Sequence, residues 1–167
     1  MDEVDKILSQ WRKSRPDLDL APMGLVGRIS RVSNLFASEM AGTFEKHDLN
    51  AAGFDVLATL RRSGPPYALS AGELMRSMMI TSGSMTNRIQ RLEKTGLIER
   101  TVDPEDARKA SVKLTKQGFE VIEKAVVGHV ATQAGLISGL SEEEMKSLEH
   151  LLRKLEALYH ERNEPAQ

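Results

Sequence analysis

The sequence predicts a mainly α-helical chain carrying one small β-hairpin, with a compact lobe in the middle and long helices at both ends. Three observations predict it. Between residues 50 and 95 three short helix patterns follow one another, each with its own start signal. Directly afterwards the apolar period changes from helical to two, running out and back across a charged turn. On both flanks, stripes of Leu, Ile, Val and Met are longer than a lobe of this size needs to bury. Hydrophobic residues make up 40% of the 167 but aromatics only 4%, so the core must be built from aliphatic side chains.

In chain order, a first helix is expected over 3–14 and ends before Arg15-Pro16-Asp17. A long helix follows from about Pro22 to Lys46. Pro22 suits a first helical turn, where its missing N–H costs nothing, and Leu25, Ile29, Val32, Phe36 and Met40 recur at helical spacing. Later helix starts share one local grammar, a capping residue with an apolar neighbour before it and another four positions on. Leu49-Asn50 with Phe54, Leu69-Ser70 with Leu74, Ile80-Thr81 with Met85 and Leu140-Ser141 with Met145 all fit, and Ser70 with Glu73 and Ser141 with Glu144 form capping boxes. These starts define short helices joined at Gly64-Pro65-Pro66 and at Met79-Ile80.

After Thr95-Gly96 the residues Leu97, Ile98, Arg100 and Val102 predict a strand. Asp103-Pro104-Glu105-Asp106 turns the chain, and Ala110 to Leu114 returns with period two. Thr115 starts another helix over about 116–134. A loop through Gly135 and Gly139 leads to a last helix at about 142–161, striped by Met145, Leu148, Leu151, Leu152, Leu155 and Leu158. The chain thus divides into an N-terminal helix and linker (1–20), a long helix (21–48) and C-terminal helices (115–162) whose surplus apolar stripes suit dimerisation, a winged helix-turn-helix lobe (49–114) between them, and a flexible tail (163–167).

Charge follows the same division. The net charge is −1, yet residues 70–116 carry nine basic and six acidic side chains while 117–167 carry five and nine. A locally basic face in a neutral chain suits a polyanion that meets one surface, and duplex DNA is the obvious one. Three short helices followed by a hairpin present the third helix to a major groove. At about 100° per residue, Met85, Ile89 and Leu92 share one side of that helix, and Asn87, Gln90, Arg91 and Lys94 share the opposite side with the amides and cations that base edges and phosphates require. Ser82, Ser84 and Thr86 add hydroxyls near the helix start. At the hairpin tip Arg108 and Lys109 are expected to reach the minor groove, with Asp106 orienting the guanidinium. Arg88 falls about 60° from Met85, beside the buried side, where a guanidinium needs an anion.

The strings Leu69-Ser70-Ala71-Gly72-Glu73-Leu74, Thr86 through Arg100, Asp103-Pro104-Glu105-Asp106-Ala107-Arg108-Lys109 and Leu114-Thr115-Lys116-Gln117-Gly118 resemble the MarR family of winged-helix regulators. The stretch Gln10 to Met23 is similar to the added N-terminal helix of its urate-responsive, PecS-like subgroup. The resemblance implies a cytoplasmic homodimer that binds a palindromic operator in double-stranded DNA, acts as a repressor and responds to a small anionic aromatic effector such as urate. It places the effector contacts at Trp11, Asp55, Arg88 and Arg100.

Other functions have less support. A protein-interaction adaptor would keep the long helices without needing the reader face. An enzyme would need a glycine-rich phosphate loop, a nucleophile elbow or a His-Glu-x-x-His arrangement, and none occurs. There is no cysteine, which removes disulfides and thiolate metal sites, and His47, His129, His150 and His160 lack a tight ligand spacing, so no metal or cofactor is expected. No apolar run reaches the length of a bilayer span.

Overall fold

The computed structural model describes residues 1–78, 82–101 and 110–163. The order of elements is α1 (Glu3–Ser14), α2 (Ala21–Glu45), α3 (Ala51–Arg62), β1 (Ala68–Ser70), α4 (Ala71–Met78), α5 (Ser82–Lys94), β2 (Ile98–Thr101), β3 (Ser111–Leu114), α6 (Lys116–Ile137) and α7 (Glu142–Asn163). The chain forms two compact units, Met1–His129 and Val130–Gln167.

The main core lies within the first unit. Val56, Leu57 and Leu60 of α3, Leu74 of α4 and Ile122 and Ala125 of α6 are fully buried, and Met85, Ile89 and Leu92 of α5 pack into the same cluster. Ile98, Val112 and Leu114 close it from the sheet side. Of the caps read from sequence, Thr81 lies outside the described residues, and those of α3 and α4 do their work. Asn50 Oδ1 accepts the Gly53 N–H at 2.8 Å, and Ser70 and Glu73 exchange reciprocal bonds of 3.2 and 2.8 Å. The first helix also has a capping box, Asp2 with Asp5, an acidic variant of the Ser/Thr–Glu pattern.

The sheet differs from expectation. It has three antiparallel strands in the order β1-β3-β2, not the two of a simple hairpin. Leu69 and Ser70, read only as a helix start, also pair with Val112 and Ser111. A three-residue strand has no period to detect, so its partner had to be seen. In the β2–β3 ladder Ile98 faces Leu114 and Arg100 faces Val112.

The joint between α5 and α6 is tightly specified. Gly96 takes φ +73°, the left-handed conformation that ends a helix cheaply with glycine. Thr115 Oγ1 donates to the Gly96 carbonyl at 2.7 Å and accepts the Gly118 N–H at 3.0 Å, so one hydroxyl caps α6 and holds the end of α5. A side chain at Gly118 would overlap the Leu97 carbonyl.

In α1 and α2 the packing is slight. Val4, Leu8 and Leu20 form a separate small cluster, with Leu8 seated over Gly24. Arg28 bonds Asp5 at 2.6 Å and Asp2 at 3.2 Å, and the arginine holds the Asp5 carboxyl below the usual carboxylate range together with the Asp2 backbone bond, which is the larger cause. Leu25, Val26, Ile29, Val32, Leu35 and Phe36 along α2 stay exposed. In the second unit, α6 runs through Gly135 to Ile137, three residues past its expected end, and α7 has no buried residue although Leu148, Leu151, Leu152, Leu155 and Leu158 lie along it. No helix among the described residues is long and apolar enough to cross a membrane.

Candidate functional site

Helix α5 is fixed from behind and open in front. Met85, Ile89 and Leu92 are 1%, 4% and 5% exposed, and α5 packs on both α3 and α4. With that side anchored, the helical period leaves Thr86, Asn87, Gln90, Arg91 and Lys94 exposed, and Ser84 half-buried. Asn87, Gln90, Arg91 and Lys94 border one shallow surface depression. Among the described residues neither Arg91 nor Lys94 has an ion-pair partner, so their charge is available to a polyanion. Ser82 opens the helix; its side chain, like Asp106, Arg108 and Lys109 of the expected wing tip, lies outside the described residues.

The base of the wing is described. Thr101 Oγ1 and Ser111 Oγ share a hydrogen bond of 2.6 Å across the β2–β3 ladder. Arg100, half-exposed on β2, pairs with Glu93 of α5 at 3.0 Å and so ties the reader helix to the strand after it.

Arg88 stands at the margin between the reader face and the buried side of α5. Its side chain is 22% exposed, and its Nη1 is buried with no hydrogen-bond partner. The nearest anion is Asp55 of α3, whose Oδ2 lies at 3.8 Å, beyond hydrogen-bond reach, and whose side chain is 58% exposed. The pair is therefore loose. Close by, the ring of His129 stacks on Phe44 with centroids 5.7 Å apart and lies tilted against Phe54 at 4.6 Å. Among the described residues its Nδ1 is the other buried side-chain atom without a hydrogen-bond partner, and burial pushes its pKa below the usual histidine value despite the opposing pull of Asp55.

Arg88 also borders a half-open cavity of about 740 Å³ between α5 and the segment joining α2 to α3. The α5 wall adds Ser84, Asn87, Arg91 and Lys94, and the facing wall contains Glu45, Asp48 and Asn50. The four effector residues implied by resemblance are thus only partly gathered. Asp55 and Arg88 meet. Trp11, 41% exposed on α1, and Arg100 are neither hydrogen-bonded nor ion-paired to them, and neither borders the cavity. Glu45 and Asp48 were not singled out from sequence, because each falls where the helical stripe of α2 has ended. No cluster of His, Asp or Glu suited to a metal ion occurs among the described residues.

A reader helix anchored on two others, with a small sheet behind it, defines a winged-helix DNA-binding protein. Residues 47–109 match the MarR family. The chain is 42% identical over 154 residues to the HTH-type transcriptional regulator PecS of Dickeya dadantii, covering 92% of this chain and 93% of that one. The chain belongs to the MarR family, and is accordingly a DNA-binding transcriptional regulator and not an enzyme. Among solved structures, a mutant MarR from E. coli complexed with operator DNA superposes with a TM-score of 0.68 at 25% identity, over 87% of this chain and 96% of that one. BpsR of Bordetella bronchiseptica, whose DNA binding is regulated by 6-hydroxynicotinic acid, gives 0.68 at 28% identity, over 78% and 91%.

Proposed function

We propose that this regulator is a ligand-responsive cytoplasmic repressor that binds a palindromic operator as a homodimer and is released by a small anionic aromatic effector, urate being the first candidate. The observation that carries the reading is Arg88. A guanidinium with a buried, unpartnered nitrogen and only a loose carboxylate at 3.8 Å is poised to exchange that carboxylate for a better-placed anion. It sits on the same helix as Asn87, Gln90, Arg91 and Lys94, so an anion bound there acts directly on the DNA-reading element.

Dimerisation is supported by the exposed apolar stripes of α2 and α7, which a second copy would cover. Two readers held roughly 34 Å apart would then meet successive turns of a palindrome. The effector pairs with Arg88 and displaces Asp55, and its binding draws in Trp11 and Arg100, which do not themselves border the cavity. At the wing, Arg108 and Lys109 contact the minor groove and backbone, with Asp106 as the orienting carboxylate. The likeness to BpsR supports control by an aromatic acid.

Gel shifts on the gene's own upstream DNA test this. The expected result is a complex that weakens with salt and with urate, with Arg88→Ala and Trp11→Ala blunting the urate effect, and Arg108→Ala and Asn87→Ala weakening DNA binding itself. A complex indifferent to urate and to other aromatic acids overturns the effector reading. Unchanged affinity in both DNA-face variants overturns the interface.

A further inference from the structure

We propose that Glu45 and Asp48 form a donor-reading wall of the effector cavity, so that the effector is a planar monoanion carrying N–H or O–H groups on the edge opposite its charge. The inference rests on the anion reading of Arg88 and adds the second half of the recognition. The cavity of about 740 Å³ is within the usual range for small-molecule sites. Its charge is divided between two walls. Arg88, Arg91 and Lys94 come from α5, while Glu45 is the last residue of α2 and Asp48 stands three residues later. Three cations and two carboxylates line it, while Asp55 stands outside the lining as the loose partner of Arg88; a monoanion that displaces Asp55 takes over its charge.

The facing wall has unused acceptors. Asn50 is not one of them, because its side-chain oxygen already accepts the Gly53 N–H. Among the described residues Glu45 and Asp48 have no side-chain hydrogen bond and no ion pair. Asp48 is also held in place. Its backbone is at φ 55°, in the left-handed region, its N–H bonds the Glu45 carbonyl at 3.0 Å, and the next residue, Leu49, is buried and bonds back to Phe44 at 3.1 Å. With its backbone held in this way, Asp48 presents an uncommitted carboxylate to a ligand N–H or O–H donor. The same wall discourages a nucleic-acid phosphate from entering, since two carboxylates would face it. A simple aryl carboxylate satisfies Arg88 but offers the acidic wall nothing. An anion with ring N–H groups satisfies both.

The test is calorimetric titration of the full-length protein with two probes: urate, a monoanion with ring N–H donors, and benzoate, a monoanion with none. Wild type is expected to prefer urate. In the Glu45→Gln, Asp48→Asn double variant that preference falls about tenfold, with benzoate binding no weaker, because a charge-assisted bond becomes a neutral one. Asparagine tolerates the left-handed φ of Asp48, so the fold is retained, and a thermal melt checks this. Arg88→Ala loses both probes. If the double variant keeps the full urate preference while Arg88→Ala binds neither probe, the donor wall is wrong and the anion reading stands. If Arg88→Ala binds both as wild type does, or wild type binds neither, the anion reading fails and takes this inference with it.

Discussion

Replacing Arg88 with methionine separates stability from ligand response. Burying a guanidinium nitrogen without a hydrogen bond costs about 1–3 kcal/mol. Against this stands attraction to Asp55 at 3.8 Å. At such a separation two unit charges attract by about 1 kcal/mol in bulk water and about 4 kcal/mol at an effective dielectric of 20. Asp55 is more than half exposed, so solvent screening puts the benefit near the lower figure. The cost equals the benefit or exceeds it by up to about 2 kcal/mol, and methionine preserves the apolar stem. Urea unfolding of Arg88→Met at fixed protein concentration should therefore give a stability equal to wild type or up to about 2 kcal/mol above it. A double-mutant cycle with Asp55→Asn should give a coupling below about 1 kcal/mol. The same variant should lose its response to urate. A loss of more than about 2 kcal/mol, matched by a coupling of similar size, would show a closed structural ion pair and refute the argument that Arg88 awaits a ligand.

Three further outcomes follow from the fold. Lys94→Ala should weaken DNA binding across sequences and lower the slope of log affinity against log salt by about one, whereas Asn87→Ala should cost about 1–3 kcal/mol on the operator and relax its sequence preference, both measurable by fluorescence anisotropy. Gly118→Ala should destabilise the lobe by roughly 1–3 kcal/mol in urea unfolding, because its Cβ overlaps backbone that cannot move aside. Burial holds the His129 pKa below the ordinary 6.5, so the folded state prefers the neutral ring. Its contribution is complete above that value and is lost as pH falls through it towards the depressed folded pKa; comparing urea midpoints from pH 7.5 to 5.5, on the order of one unit either side of 6.5, His129→Phe should show a smaller decline than wild type.

Much of this molecule was legible because its helix starts are written as short local motifs. Asn50, Ser70, Thr115 and Ser141 each place an oxygen where free N–H groups need one, and the structure uses all four. The orientation of α5 was equally readable, since Met85, Ile89 and Leu92 leave one side for the core and place Arg88 at its margin. Strand β1 was not readable: three residues carry no period, and Ser70 serves in a cap and a ladder at once. The far wall of the cavity was hidden for another reason. Glu45 and Asp48 face α5 because of how α2 ends, through a left-handed aspartate that no apolar pattern announces. Arg100 was reached only through a resemblance, and in the structure it pairs with Glu93 of α5.

The slight seating of α1 on α2 has a consequence for motion. Three buried residues and an exposed arginine–aspartate cluster hold α1, whereas sixteen buried residues hold the lobe. Opening α1 exposes little apolar surface, so it is a separate cooperative unit with a lower opening free energy than the lobe. Its amides should exchange with solvent well before those of α3, and faster at high salt, where the Arg28 pairs are screened. Trp11 rides on that helix, so its fluorescence reports the attachment and detachment of α1 while the reader helix stays folded.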